Sequence, residues 1–218
     1  SCLVGSEMCI RDRPSSAGSW KRPDGMKARV AVLISGAGSN MAALIDAGQR
    51  ADSAYEVVLV ASNIEDAGGL AVAAAKGVQT VAVPHKPFGK DREAHERALD
   101  EALRAAGVEV IALAGYMRIL TPWLVGGWRG RMLNIHPSLL PLYPGLDTHA
   151  RAIAAEDPEA GCTVHLVTEG VDEGPVLGQK RVPILPDDTP ASLAQRVLAA
   201  EHQLYPEALD AFCRQLGR

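Results

Sequence analysis

Asn134 and His136 are the residues from which chemistry can first be argued. They stand two apart in Met132-Leu133-Asn134-Ile135-His136, a short apolar run that stops at Pro137, where a missing N–H and a fixed φ end a strand. Residues two apart on a strand project to one face, so an amide and an imidazole point together while Ile135 points into the core. An amide donor beside a second donor suits a carbonyl oxygen that becomes an oxyanion. The same pair fits a polar cap on a strand end, and spacing alone leaves both readings open.

Three further segments have the composition of a site. Ser35-Gly36-Ala37-Gly38-Ser39-Asn40 follows an apolar strand and precedes a helix, where free backbone N–H groups and the helix dipole favour an anion. Met41 occupies the place of the third glycine of a dinucleotide fingerprint and no Gly-Lys-Ser/Thr follows, so a nicotinamide cofactor or a nucleoside triphosphate is disfavoured. A tight, well-capped turn explains the loop equally well. Pro137 to Gly145 contains three prolines, and Pro144-Gly145 suits a type II turn. Thr168-Glu169-Gly170-Val171-Asp172-Glu173-Gly174-Pro175 is an acidic loop that would pass by itself as a solvated turn.

Helices and strands must position these loops. Apolar runs at Arg29–Ile34, Val57–Ala61, Thr80–Val83, Val110–Ala114 and Met132–His136 alternate with helical stretches at Met41–Gly48, Ala67–Lys76 and Asp91–Ala106. Strands are expected again near Thr163–Val167 and Val176–Ile184. A helix near Thr148–Ala155 precedes them, and a last helix starts with Thr189 as cap and Pro190 in its first turn. Strands separated by helices imply right-handed crossovers and parallel neighbours. The expected fold is α/β: a single doubly wound, mostly parallel sheet with helices on both faces, ending in an antiparallel C-terminal edge. In the last helix Leu193, Val197, Glu201 and Leu204 share one stripe, which sets a carboxylate on an apolar face. Such a charge either meets a ligand such as ribose hydroxyls or snorkels to water.

Composition narrows the function. The chain has 218 residues, 47% of them apolar, and a net charge of −4, with no basic run for nucleic acid and no apolar span for a membrane. Cys2, Cys9, Cys162 and Cys213 form no metal or disulfide pattern, and His85, His95, His149 and His202 share no metal-ligand spacing. A cytoplasmic protein without a metal is expected. Residues 1–25 are polar and aperiodic and are read as a leader, disordered or artefactual, before a single domain at 26–218.

Several motifs then combine: Val32 to Asn40, Leu113-Ala114-Gly115-Tyr116-Met117-Arg118-Ile119-Leu120, Leu133 to Pro141, Gly161-Cys162-Thr163-Val164-His165, and Asp172-Glu173-Gly174-Pro175. Together, and from Met26 to the end, the sequence resembles the glycinamide ribonucleotide formyltransferase family, folate-dependent enzymes of purine synthesis. The resemblance implies formyl transfer from 10-formyltetrahydrofolate to glycinamide ribonucleotide, with Asn134, His136 and Asp172 catalytic. It further implies that Gly38, Ser39 and Asn40 hold the substrate phosphate and that Glu201 binds the substrate. Arg92, Met117, Arg118, Ile119, Leu120, Asn134, Thr168, Glu169, Gly170, Val171 and Asp172 would line the folate site, the N-terminal half taking the nucleotide and the C-terminal half the folate. Glu173 and Asp147 depart from the family pattern, which has glycine and often histidine there. Partners expected are the two substrates alone, on a monomer or homodimer. The rival readings are a formyltetrahydrofolate hydrolase or a transferase acting on methionyl-tRNA, each with a further domain for which this chain has no room, and a non-catalytic relative.

Overall fold

Uninterrupted apolar runs supply the middle of the sheet, because a strand covered on both faces has no polar side to show. The computed structural model describes residues 26–216, and the leader at 1–25 lies outside the described residues. The strands are β1 (Ala28–Ile34), β2 (Tyr55–Ser62), β3 (Gln79–Ala82), β4 (Val110–Leu113), β5 (Met132–His136), β6 (Glu159–Leu166) and β7 (Val176–Pro183). The helices are α1 (Ser39–Gly48), α2 (Gly68–Ala75), α3 (Arg92–Ala105), α4 (Pro122–Gly127), α5 (Thr148–Ala154) and α6 (Pro190–Leu216).

All seven strands form one sheet in the order β3-β2-β1-β4-β5-β6-β7. The first five are mutually parallel, as the helical crossovers require. β6 then pairs antiparallel with β5, and β7 with β6. The reversal thus starts one strand earlier than a helix between β5 and β6 implies. The connection through α5 returns the chain at the end of β5 rather than at its start, and Thr163 faces His136. β6 also begins earlier than its composition announces. Gly161 permits it, since a Cβ there would strike the Lys180 carbonyl of β7.

The two sheet faces bury different helices. Val30, Val32 and Ile34 pack with Met41, Leu44 and Ile45 of α1 and with Leu193, Val197, Leu204 and Tyr205 of α6. On the other face Ala31, Leu33, Ile111 and Met132 pack with Leu99 and Leu103 of α3, Leu124 of α4 and Trp128. Each fully buried aliphatic side chain contributes ~1.5–3 kcal/mol, so these layers, rather than surface pairs, hold the fold. Tyr205 also reaches through its layer, its hydroxyl 3.0 Å from the Leu113 carbonyl and 3.2 Å from that of Leu133. The Asp91 carboxylate accepts from Ala94 N at 2.9 Å to start α3, and the Thr189 hydroxyl accepts from Ser192 N at 3.2 Å to start α6. No helix of the described residues is long and apolar enough to cross a membrane.

Candidate active site

Alternation along β5 divides its side chains: Leu133 and Ile135 enter the α1/α6 layer, and Asn134 and His136 face the other way. On β6 the residues opposite them are His165 and Thr163. Four polar side chains therefore share one patch of the sheet. Thr163 is consumed structurally, its hydroxyl donating to Ser138 O at 2.7 Å and accepting from Leu140 N at 3.0 Å. The other three remain available for chemistry.

His165 is 2% exposed, and burial is the main cause that lowers its pKa below the ordinary histidine value. Its Nδ1 lies 3.0 Å from the Leu166 carbonyl, which can only accept, so the proton sits on Nδ1. The bare Nε2 then accepts from Asn134 Nδ2 at 3.2 Å. The bond settles which way the Asn134 amide points and leaves its second N–H for another acceptor. Asn134 is half-buried, the most open member of the group.

The carboxylate arrives from the loop between β6 and β7. Because β6 runs against β5, that loop emerges near the start of β5 and folds back over the polar patch. Gly174 lets it lie close, since a Cβ there would run into the Leu166 carbonyl. Asp172, at φ 57°, places Oδ2 3.3 Å from His136 Nδ1 and Oδ1 3.6 Å from His165 Nε2. A left-handed aspartate is tolerable but uncommon, and it occurs here at the residue that meets both rings. Asn134, His136 and Asp172 are thus brought together, as the sequence reading expects.

A second loop, residues 137–147, touches the same pair. Tyr143 O lies 3.0 Å from His136 Nε2, and Gly145 N donates to Asp172 Oδ2 at 3.0 Å. Both nitrogens of His136 therefore face acceptors. His136 is 6% exposed. The loop is itself braced: Arg151 Nη1 donates to Pro144 O at 2.7 Å and to Leu146 O at 3.3 Å, and its guanidinium lies 5.1 Å from the Tyr143 ring. Gly145 has φ 79°, as the Pro-Gly turn predicts.

A separate grouping forms where α1 meets α6. Gly38, at φ 73°, precedes α1, and a Cβ there would crowd Met41 and Gly69. Ser39 is exposed and Asn40 buried. Asn40 Nδ2 donates to Glu201 Oε2 at 2.6 Å across 161 residues. Glu201 does not snorkel: it is 7% exposed, and burial raises its pKa while the Asn40 bond opposes the rise. Asn40 Oδ1 is buried without a hydrogen-bond partner among the described residues.

The residues assigned to folate occupy two loops and one helix start. Met117, Ile119 and Val171 are among the few large apolar side chains left exposed, at 70%, 65% and 56%. Leu120 instead packs into the α3/α4 layer with Tyr116 and Val167. Met117 N donates to Ser35 Oγ at 2.8 Å, tying the loop after β4 to the glycine loop. Thr168 and Glu169 are exposed, Glu169 lying 3.4 Å from Arg129. Gly170 is half-buried against Glu173. Arg92 is exposed at the start of α3, and Arg118 is half-buried. Among the described residues no group of three or more His, Cys, Asp and Glu side chains could hold a metal ion.

Residues 28–209 match the model of the family described as Formyl transferase. The chain belongs to the formyl transferase family. A phosphoribosylglycinamide formyltransferase of Escherichia coli K12 is 43% identical over 183 residues, covering 84% of this chain and 86% of that one. The trifunctional purine biosynthetic protein adenosine-3 of Drosophila melanogaster is 51% identical over 185 residues, but this chain spans only 14% of its length. The crystal structure of phosphoribosylglycinamide formyltransferase from Brucella melitensis superposes with a TM-score of 0.83 at 53% identity, covering 86% of this chain and 96% of that one.

Three contributors to this formyl transferase's polar patch are only partly legible along the sequence. His165 reads there as a strand residue facing away from Val164 and Leu166, a support for the site or a satisfied core histidine, and its position opposite Asn134 depends on the antiparallel register. Tyr143 and Gly145 act through backbone atoms, which no residue type announces.

Proposed function

We propose that this chain transfers the formyl group of 10-formyltetrahydrofolate to the primary amine of glycinamide ribonucleotide, in the cytoplasm and as a monomer or homodimer. The observation that carries the reading is the contact set in which His165 orients the Asn134 amide while Asp172 meets His136 at 3.3 Å. The family and the similar phosphoribosylglycinamide formyltransferases support the choice of substrates. Residues 26–218 are read as one domain, its first half holding the nucleotide and its second half the folate.

In this reading the amine nitrogen bonds to the formyl carbon, and the carbonyl oxygen becomes a tetrahedral oxyanion. Asn134 donates its free N–H to that oxygen. His136 supplies the second donor when its Nε2 exchanges the Tyr143 carbonyl for the oxyanion, and Asp172 holds the ring through Nδ1 meanwhile. Collapse breaks the bond from carbon to the folate nitrogen, which takes the proton lost by the amine through His136 or water. Exposed Met117, Ile119 and Val171 fit a flat, largely apolar heterocycle. Asn40 and the turn at Gly38–Ser39 are read as the phosphate cradle, with Glu201 accepting from ribose hydroxyls.

Folate release from 10-formyltetrahydrofolate, followed with and without glycinamide ribonucleotide, tests this. Release should require the ribonucleotide and be accompanied by formylated product. Release that ignores the ribonucleotide would replace transfer with hydrolysis.

A further inference from the structure

The loops that leave β1, β2 and β3 share one edge of the sheet, because the three strands are parallel neighbours with Ile34 level with Ser62 and Ser62 with Ala82. A cavity of about 330 Å³ opens where the last two of these loops meet, and the chemistry proposed above makes no use of it. Asn63, Glu65 and Asp66 line it from the loop after β2, and Pro84, His85 and Lys86 line it from the loop after β3. Its volume lies within the range of small-molecule sites, about 300–1,000 Å³.

Two contacts tie this cavity to the glycine loop. Asn63 is 4% exposed, and its Oδ1 accepts from Ser35 Oγ at 2.6 Å, where the glycine loop begins. Gly69 N donates to Gly36 O at 3.0 Å, fastening the start of α2 just beyond Asp66. The surface at the second contact is bare, since a Cβ added at Gly36 or at Gly68 would meet nothing within 4 Å.

The lining is a set of acceptors on a partly apolar floor. Glu65 and Asp66 are exposed, and among the described residues their carboxylates hold neither a hydrogen bond nor an ion pair. Lys86 completes the lining and pairs with neither acid. The Asn63 carbonyl lies 2.9 Å from His85 Nδ1 and can only accept, so the ring proton sits on Nδ1 and Nε2 is left as an acceptor. Pro84 and Ile64 add apolar surface. Two free carboxylates repel a phosphate and accept from vicinal hydroxyls, so a phosphorylated sugar would set its anionic end away from them.

We propose that a nucleoside 5′-monophosphate binds across these two features, with its phosphate on the glycine loop and its ribose and base in the cavity, and so competes with the ribonucleotide substrate. The inference rests on the reading of Gly38, Ser39 and Asn40 as a phosphate cradle; the cavity itself has no role in that reading. In doubly wound sheets an acid following the second strand accepts from the ribose of a nucleotide whose phosphate lies after the first, and Glu65 and Asp66 hold that place. A single phosphate fits better than two. Met41 stands where a dinucleotide loop has its third glycine, and its Cε lies 2.7 Å from the position a Cβ of Gly38 would take.

The test titrates adenosine 5′-monophosphate and its 2′,3′-dideoxy analogue by calorimetry into the parent chain and into Glu65→Ala/Asp66→Ala. The parent should bind the ribose form ~10-fold more tightly than the dideoxy form, as hydrogen bonds to exposed charged acceptors allow. In the double variant that preference should fall to about one. The dideoxy form should bind the variant no more weakly than the parent, because it loses only repulsion. A parent without the preference, a double variant that keeps it, or tighter binding of the diphosphate than of the monophosphate overturns the site.

A kinetic arm adds adenosine 5′-monophosphate to the transfer assay. It should raise KM for glycinamide ribonucleotide and leave kcat unchanged, and a lowered kcat with an unchanged KM would overturn the shared loop. Absence of transfer without any added nucleotide would defeat the proposed function instead, and the titration would still decide the cavity.

Discussion

Two side chains in this protein owe their usefulness to a partner that fixes one hydrogen bond and leaves another free. His165 accepts one N–H of Asn134, so the amide keeps a single orientation. Asn134→Ala should lower kcat by ~10²–10³, the usual loss for one oxyanion donor, measured by steady-state turnover with both substrates saturating. A value within severalfold of the parent would remove Asn134 from the chemistry. Glu201 shows the opposite balance, a buried carboxylate whose desolvation costs stability. Glu201→Gln can still accept from Asn40 and can donate to the orphaned Asn40 Oδ1. The variant should therefore gain on the order of 1 kcal/mol, read as a Tm rise of ~2–4 °C near neutral pH, while KM for the ribonucleotide rises. A lower Tm together with an unchanged KM would show that the carboxylate serves only the fold. Glu201 was legible in the sequence because a charge on an apolar helical stripe violates the pattern; its partner Asn40 was legible only as part of a glycine loop.

At the scale of elements, the loop at 137–147 is the part that behaves as more than a connection. Its backbone meets both His136 and Asp172, and its shape is held by Arg151, which touches neither. Arg151 is a positioning residue, and Arg151→Ala should lower kcat ~10-fold or more through a small displacement of the pair, with KM for the ribonucleotide little changed. Arg151→Lys restores a donor and the charge but not the planar contact with Tyr143, so it should recover part of the loss. Equal kcat in the parent and Arg151→Ala would show that the loop keeps its place without the clamp. The prolines of this loop announced rigidity in the sequence. What the rigidity holds was not readable, because the contacts are made by the carbonyl of Tyr143 and the N–H of Gly145. The early reversal of the sheet was hidden for a similar reason: a helix between β5 and β6 has the pattern of a crossover whether or not it makes one.

For the whole molecule, burial sets the direction in which acid acts. His95, His149 and His165 all have pKa values lowered below 6.5, chiefly by desolvation. The folded chain therefore holds fewer of these protons than the unfolded chain, and stability should fall as pH drops below about 6.5, until the folded histidines also protonate. Glu201, with a raised pKa, works against this from its unfolded value upward, but it is one group against three. Urea unfolding at pH 7 and pH 5 should show a lower midpoint at pH 5, and equal midpoints would mean that these rings take up protons in place. The parallel run of β1 to β5 and the helices on both faces followed from apolar runs alternating with helical stretches, whereas the order of the strands in the sheet did not. The site needed more, because it is assembled from register and return loops.

The bond between Asn40 and Glu201 has a consequence for a molecule still being made. Asn40 leaves the ribosome before β2, whereas its carboxylate partner follows only after every strand of the sheet has been synthesised. A growing chain thus carries Asn40 without its carboxylate partner and the Asn134–His136 pair without Asp172. The bond that ties α1 to α6 therefore forms only once the last helix has docked.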